Sequence, residues 1–245
     1  MKVIQLYSGG IDSFIGYHYL KHQGYDVMPI YYNLNHRYVK EELDLIRKTL
    51  PFVYIDETLQ FLGKYESDDA HIPFRNLFLL LRTALEFEFM DDTIYIVQNS
   101  VFDDRVSDSN KEFLQEMEQL LNKHSRKAKF KIISPFPEKW TKFDAVDWYK
   151  EQKLDLNKLD THTFSCYSPV EGQHCYNCQA CFRRNTVLYY AGIKKPFYNK
   201  DIALKYLNSL STATYPKKRR KAMGEYLSWL FSYGPLAEDS SYEET

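Results

Sequence analysis

Short apolar runs alternate with amphipathic stretches over the first 135 residues of the chain. The apolar runs predict five strands, at residues 1–7, 27–32, 52–55, 93–97 and 129–133. Apolar positions at helical spacing predict helices between them, over residues 14–22, 40–50, 76–90 and 111–124. This alternation is typical of an α/β fold built on a doubly wound, mostly parallel sheet. Such sheets bind ligands beyond the carboxyl ends of their strands.

A small polar loop separates the first predicted strand from the first predicted helix. It consists of Ser8, Gly9, Gly10, Ile11, Asp12 and Ser13. Two glycines let the backbone turn sharply and bring its N–H groups close to an anion. The helix that follows adds partial positive charge, and the hydroxyls of Ser8 and Ser13 can donate hydrogen bonds. Asp12 fits such a loop as a cap or as a group that places magnesium, so the loop predicts a phosphate-binding site.

All four cysteines fall within sixteen residues, which points to a metal site in a reducing compartment. They are Cys166, Cys175, Cys178 and Cys181. Four thiolates suit tetrahedral zinc, and an iron–sulfur cluster is the alternative. Gly172 permits a turn between the first ligand and the other three, and Arg183 and Arg184 can offset the negative charge. Since four protein ligands fill the coordination sphere, the predicted metal is structural.

Composition limits the expected partners and compartment. Lysine and arginine number 32 against 33 acidic residues, so no general attraction to nucleic acid or to a membrane is expected. The basic run at residues 217–221 is interpreted as a solvated helix start. No apolar run approaches the roughly 18 residues that cross a bilayer, and the first residues do not form a signal peptide. We therefore expect a cytoplasmic protein.

The loop at residues 8–13 resembles the SGGxDS loop of the ATP pyrophosphatase family. This resemblance implies an adenine nucleotide alpha hydrolase-like fold, and it implies ATP and Mg²⁺ as cofactors bound by the loop. Members of the family adenylate a carboxylate or carbonyl oxygen, and a nucleophile then displaces AMP.

The loop together with the cysteine spacing closely resembles the QueC family of 7-cyano-7-deazaguanine synthases, over most of residues 1–195. The resemblance implies that ATP drives the conversion of 7-carboxy-7-deazaguanine and ammonia to 7-cyano-7-deazaguanine, by adenylation, amide formation and dehydration. It implies that Asp12 and Lys142 are catalytic, and that Zn²⁺ is held by the four cysteines. Arg75 and Asn76 match the family's VPGRN segment and are expected to bind substrate, and His36 matches a family histidine.

Three segments depart from the family pattern. Phe74 stands where the family has glycine, residues 31–36 replace a segment close to FDYGQRH, and the loop at residues 98–110 lacks the family's glycines. Asp108 is the position in that loop that matches, and it is expected to bind the base. The aromatic face for the base is expected from Phe74 and Phe102, with Asp103 and Asp104 as further hydrogen-bond acceptors.

The predicted organisation has three parts. They are a nucleotide-binding α/β domain at residues 1–160, a zinc-binding segment at residues 161–195, and a helical extension with an acidic tail at residues 196–245. The expected partners are small molecules, 7-carboxy-7-deazaguanine and ammonia, and a homodimer is an open alternative for assembly. Two other functions stay open: an adenylating enzyme for a different base, tRNA or protein acceptor, and a catalytically silent nucleotide-binding module.

Overall fold

Five parallel strands form the central sheet of the protein. A computed structural model describes residues 1–90, 92–99 and 107–237. The strands are β1 (Lys2–Leu6), β2 (Asp26–Tyr32), β3 (Tyr54–Asp56), β4 (Thr93–Val97) and β5 (Lys129–Ile133). Their order is β3-β2-β1-β4-β5, and every pairing is parallel. The chain moves outward from β1 to β3 and then crosses to β4, so the predicted doubly wound α/β fold is confirmed, with its switch point between β1 and β4.

Helices flank this sheet and continue beyond it. Those within the sheet region are α1 (Ile11–His22), α2 (Val39–Thr49), α3 (Arg75–Phe87) and α4 (Lys111–His124). Those after β5 are α5 (Lys142–Glu151), α6 (Lys158–Thr161), α7 (Gln179–Tyr190), α8 (Lys200–Thr212) and α9 (Lys217–Ser232). Two 3₁₀ helices occupy Gln60–Tyr65 and Ser107–Ser109.

Both faces of the sheet are covered, because successive strand residues point to opposite sides. Ile4 of β1 belongs to an apolar cluster with Leu80 of α3 and Leu121 of α4. Its neighbour Val3 packs with Leu20 of α1 on the other face. The near-continuous apolar strands of the sequence follow from this double burial.

Several boundaries agree with the sequence, and two differ for local reasons. β4, β5 and α4 have the predicted bounds. α1 begins three residues earlier than expected, at Ile11, because the amide of Phe14 already donates to the carbonyl of Gly10. The third strand begins at Tyr54, since the amide of Val53 is still bonded to the carbonyl of Leu50 in a turn.

The helices after β5 extend outward from the sheet region, since α5 packs against α1 while α7, α8 and α9 pack on one another. Phe182 of α7 stacks on Tyr206 of α8 at 4.2 Å between ring centroids and packs against Tyr226 of α9. The extension predicted to be helical contains α8 and α9. The three-part division stays a prediction, and the tail at residues 238–245 lies outside the described residues.

None of the helices in the described ranges is long and apolar enough to cross a bilayer.

Candidate active site and metal centre

The glycine loop at residues 8–13 lies at the switch point of the sheet, between β1 and α1. Gly9 has a φ of +75°, a left-handed conformation that glycine adopts without strain, and a Cβ there would lie 3.1 Å from Ile46. Ser13 Oγ donates to the carbonyl of Gly10 at 2.9 Å, and Ser8 Oγ donates to Ser13 Oγ at 3.3 Å. These bonds fix a tight turn that opens directly into the N-terminus of α1, where backbone N–H groups favour an anion.

Asp12 and Lys142 meet beside this loop, although 130 positions separate them in the chain. Lys142 Nζ contacts Asp12 Oδ2 at 2.8 Å, and the two side chains are 19% and 26% exposed. Lys142 is the first residue of α5, and Thr141 before it caps that helix with a full capping box to Asp144. The cap therefore fixes the backbone position of Lys142. The fold brings the two predicted catalytic residues together.

One cleft of about 380 Å³ extends from the loop across the carboxyl ends of β1 and β2. Its lining includes the loop, Lys142, the first residues of α3, and the segment that precedes the first cysteine. The lining residues that bear on function are Ser8, Gly10, Ile11, Asp12, Ser13, His36, Tyr38, Glu42, Arg75, Asn76, Lys142, Ser165, Tyr167, Arg183 and Arg184. The predicted phosphate-loop residues and the predicted substrate residues of α3 thus face the same space, apart from Gly9, which turns the loop behind it.

Arg75 and Asn76 have different surroundings in this cleft. Asn76 Nδ2 donates to the carbonyl of Asp108 at 3.0 Å, so its amide holds the segment before α4 in place. The Arg75 side chain makes no hydrogen bond or ion pair with any described residue, while its charge acts on Tyr38 nearby. A half-buried guanidinium without an anion in a polar cleft is suited to binding an anionic ligand.

The residues expected to hold the base are placed less favourably. Asp108 is not among the cleft-lining residues, and its buried Oδ1 has no hydrogen-bond partner within the described part of the chain. Phe74 is 69% exposed and lies outside the cleft lining, so the expectation that its ring faces the base was wrong. Its left-handed backbone directs the ring outward from the start of α3. Phe102, Asp103 and Asp104 lie outside the described residues.

A buried polar network beyond β2 escaped the sequence analysis, except for His36. Glu42 Oε2 accepts from Tyr31 Oη at 2.7 Å and lies 3.1 Å from His36 Nε2. Burial and the neighbouring Glu42 carboxylate raise the pKa of Tyr31, so its hydroxyl stays protonated and donates. The signal for this network in the sequence was Glu42, an acidic residue among the buried, otherwise apolar positions of α2.

Aromatic side chains close the same end of the cleft. The rings of Tyr38 and Tyr167 lie 5.6 Å apart, and burial raises the pKa of Tyr38. Tyr167 follows directly after the first cysteine, and Arg183 Nη2 donates to its hydroxyl at 2.9 Å. The aromatic lining at this end of the cleft therefore includes tyrosines from two distant segments.

The four cysteines converge into one cluster, with all four sulfur atoms within 4.8 Å of one another and no disulfide among them. The sulfurs of Cys175 and Cys181 are 3.8 Å apart. Four thiolates around a tetrahedral zinc at about 2.3 Å would lie about 3.8 Å from one another, so the cluster could bind a metal such as zinc. The amides of Cys175 and Cys181 donate to the sulfurs of Cys166 and Cys178, as anionic thiolates require.

Local backbone geometry explains how this cluster forms. Gly172 has the expected positive φ, of +77°, in the turn that returns the chain from the first cysteine to the other three. Cys178 is also the N-cap of α7, with its sulfur accepting from the amide of Cys181. Arg184 Nη2 donates to Asp160 Oδ1 at 2.8 Å, and its expected part in offsetting the charge of the sulfurs stays a prediction. Burial and the charge of Arg184 lower the pKa of His174, beside the cluster, to about 3.

Comparisons with known proteins agree on one family. A family model described as "Queuosine biosynthesis protein QueC" matches residues 55–192, more than half of the chain and all four cysteines. A 7-cyano-7-deazaguanine synthase of Leptospira interrogans is 27% identical over 221 residues, covering 79% of this chain and 89% of the relative. Those of Methanococcus aeolicus and Nitratiruptor sp. are 26% and 28% identical, covering 80% and 79% of this chain and 98% and 96% of the relatives.

A solved structure is also similar. It is the crystal structure of a predicted subunit of tRNA methyltransferase from Methanocaldococcus jannaschii, 18% identical, covering 63% of this chain and 90% of that chain. Its TM-score of 0.34 is too low to bear on fold or function. The extent of the family match, with the cysteine cluster inside it, shows that the chain belongs to the QueC family of queuosine biosynthesis proteins.

Proposed function

We propose that the protein is a 7-cyano-7-deazaguanine synthase, which converts 7-carboxy-7-deazaguanine and ammonia to 7-cyano-7-deazaguanine at the expense of ATP. The observation that carries this proposal is that one cleft contains both the glycine loop at residues 8–13 and Arg75, whose side chain pairs with none of the described residues. An adenylating enzyme needs a phosphate site and a carboxylate site within reach of each other.

The phosphate end of the cleft is suited to ATP. The positive φ of Gly9 turns the loop sharply, and such a turn lets backbone N–H groups approach an anion. Lys142 supplies a positive charge beside them, and Asp12 offers a carboxylate to Mg²⁺. ATP would supply the activating group that turns a carboxylate oxygen, and later an amide oxygen, into a leaving group.

The acceptor end is suited to a flat base that carries a carboxylate. Arg75 can pair with the carboxylate, and the rings of Tyr38 and Tyr167 offer an aromatic face. Ammonia would then attack the activated carbon and displace AMP, giving the amide and a released proton. A second adenylation of the amide oxygen would let that oxygen leave with AMP, and loss of the N–H protons would leave the nitrile. Arg75, Tyr38 and Tyr167 are proposed to bind and orient the base. Holding two reactants in a fixed geometry makes a bimolecular step effectively unimolecular.

The metal centre is proposed to be structural. Four cysteines occupy all the positions of a tetrahedral zinc, which leaves none for a substrate. Zinc is preferred to an iron–sulfur cluster, and its proposed role is to tie the segment with Ser165 and Tyr167 to the start of α7.

A turnover assay tests the proposal. The protein is incubated with ATP, Mg²⁺, ammonia and 7-carboxy-7-deazaguanine, and the amide and nitrile are detected by mass spectrometry together with AMP. We expect nitrile and AMP to form only when all four components are present. ATP consumption with a different base, tRNA or protein acceptor would replace this proposal, and tight ATP binding without any turnover would indicate a silent nucleotide-binding module.

A further inference from the structure

The segment before the first cysteine lies against the glycine loop. The amide of Phe164 donates to the carbonyl of Gly9 at 2.9 Å. A Cβ at Gly10 would lie 3.4 Å from Ser165 Oγ and 3.6 Å from Ser8 Oγ, so the two hydroxyls flank the same point of the loop. Ser8 belongs to the loop by sequence, whereas Ser165 reaches it only through the fold. The tertiary structure therefore adds a third serine to the two that the loop itself supplies.

The hydroxyl of Ser165 is placed to bind the same anion as the loop. Ser165 lines the cleft together with Ser8, Ser13 and Lys142. Its hydroxyl has no hydrogen-bond partner among the described residues, whereas its amide is bonded. A serine hydroxyl can donate one hydrogen bond, and donation to a charged phosphate oxygen is stronger than donation to a neutral acceptor. A phosphate held by the loop would therefore meet a further donor in Ser165.

The turn that carries the cysteines holds this segment in place. Cys166, directly after Ser165, is fully buried, and its sulfur accepts from the amide of Cys175 at 3.3 Å. His174 Nε2 accepts from the amide of Ser165 at 3.4 Å, and its ring lies 4.6 Å from that of Phe164. Because His174 immediately precedes Cys175, two neighbouring residues of the turn bond the backbone and the sulfur on either side. The position of the Ser165 hydroxyl thus depends on the cysteine cluster.

We propose that Ser165 is a phosphate-binding residue of the nucleotide site, and that the four-cysteine centre positions it. The Ser165 hydroxyl donates to a phosphate oxygen of ATP, or of the pyrophosphate released from it. A metal bound by the cysteines fixes the turn and keeps Ser165 beside Gly10. Phosphate and metal then strengthen each other's binding by the same factor, as linkage requires. This inference rests on the proposed use of ATP, and it gives the metal centre a role in nucleotide binding.

Calorimetry with inorganic pyrophosphate and Mg²⁺ tests the phosphate contact on the zinc-loaded protein without turnover. Ser165→Ala should weaken pyrophosphate binding by about tenfold, the loss of one hydrogen bond to a charged group. Ser165→Thr keeps the hydroxyl and should bind within about twofold of the wild type. Ser168→Ala is the matched control, since Ser168 lies beyond Cys166, is exposed and does not line the cleft.

Zinc affinity, measured by equilibrium competition with a chelator, tests the coupling. Pyrophosphate with Mg²⁺ should raise the zinc affinity of the wild type and of Ser168→Ala by about tenfold, the factor that the serine contact contributes. In Ser165→Ala the same addition should raise it by less than about twofold. Without pyrophosphate, the zinc content and Tm of Ser165→Ala should equal those of the wild type, which separates a lost contact from a lost fold.

The outcomes distinguish this inference from the proposed function. Equal pyrophosphate affinity in Ser165→Ala and Ser168→Ala, or a wild-type zinc affinity that pyrophosphate leaves unchanged, would overturn the inference and leave the proposed function intact. If Ser165→Ala loses zinc without pyrophosphate and Ser165→Thr binds as weakly, Ser165 supports only the fold, and the inference is also overturned. A zinc-loaded wild-type protein that binds neither ATP nor pyrophosphate would instead overturn the proposed function.

Discussion

Phe74 occupies a left-handed backbone conformation, with a φ of 59°, at the residue before α3. Such a conformation costs a residue with a Cβ about 1 kcal/mol and costs glycine almost nothing. The glycine that the family pattern has at this position is therefore explained by the backbone. In this chain phenylalanine occupies the left-handed position, and the backbone there is strained.

This strain predicts the order of stability of two variants. Phe74→Gly should be more stable to urea than Phe74→Ala by about 1 kcal/mol, because both remove the same exposed ring and only glycine removes the steric cost. Equilibrium unfolding followed by circular dichroism measures the difference. If the alanine variant is as stable as the glycine variant, the turn does not have this conformation in solution.

Asp12 and Lys142 are expected to act through the phosphates of ATP. Asp12→Ala and Lys142→Met should each lower kcat/KM for ATP by about 100-fold or more, since each removes charge stabilisation at the reacting centre. Lys111→Met is the control, because Lys111 forms an exposed ion pair with Glu138, and such pairs contribute little. Activity within a few fold of the wild type in both site variants would show that the loop does not hold the reacting phosphates.

Arg75 provides the sharpest test of the acceptor. Arg75→Met should weaken binding of 7-carboxy-7-deazaguanine by about 10- to 100-fold, the loss of one charge-assisted contact, and leave the carboxylate-free 7-deazaguanine unaffected. Arg47→Met, on the exposed side of α2, is the matched control. Calorimetry in the presence of a non-hydrolysable ATP analogue gives both affinities. An equal loss for the two bases would remove Arg75 from the carboxylate site.

Asp108 is predicted to act on the base through its side chain. Its carbonyl accepts from Asn76 and Gln98, so Asp108→Ala keeps those bonds and removes only the buried carboxylate. The prediction remains that this variant raises the KM for the base far more than that for ATP. Kinetics with each substrate varied in turn decide it, and equal changes in the two KM values would contradict it.

At the scale of elements, α7 and the metal centre depend on the same residue. Cys178 caps α7 and supplies one of the four sulfurs. Cys178→Ser should keep the cap, because serine is a good N-cap, and lose the metal. Metal analysis should find one zinc per colourless wild-type chain and much less in the variant, with a lower Tm. A brown protein that contains iron would favour the iron–sulfur alternative.

At the scale of the whole molecule, the cysteines belong to the same buried cluster as α9. Cys166 and Cys181 pack with Phe182, Met223 and Leu227, away from the sheet. Removal of zinc by a chelator should therefore speed hydrogen exchange in α7, α8 and α9 and leave the amides of β1, β2 and β4 protected. Exchange that rises equally in both regions would mean that they unfold as one unit, against the three-part division.

The sequence alone determined three features: the succession of strands and helices along the chain, the glycine loop and the cysteine cluster. Each depends on residues that lie close together in the chain. β4, β5 and α4 were predicted to the residue, since their apolar periodicity is strong and their ends carry caps such as Asn110. The loop needs only two adjacent glycines and two serines within six residues, and Gly172 supplies the turn that the cysteines require.

Only the tertiary structure decided which distant residues share the cleft. The contact of Asp12 with Lys142 spans 130 positions, and the ring contact of Tyr38 with Tyr167 joins a residue after β2 to one beside the cysteine cluster. No local pattern records such a meeting, because it depends on how the sheet orders its strands and where each helix begins. The same reason placed Phe74 outside the cleft and Arg184 on Asp160. Local chemistry is encoded residue by residue, whereas the composition of a site is settled by packing across the whole chain.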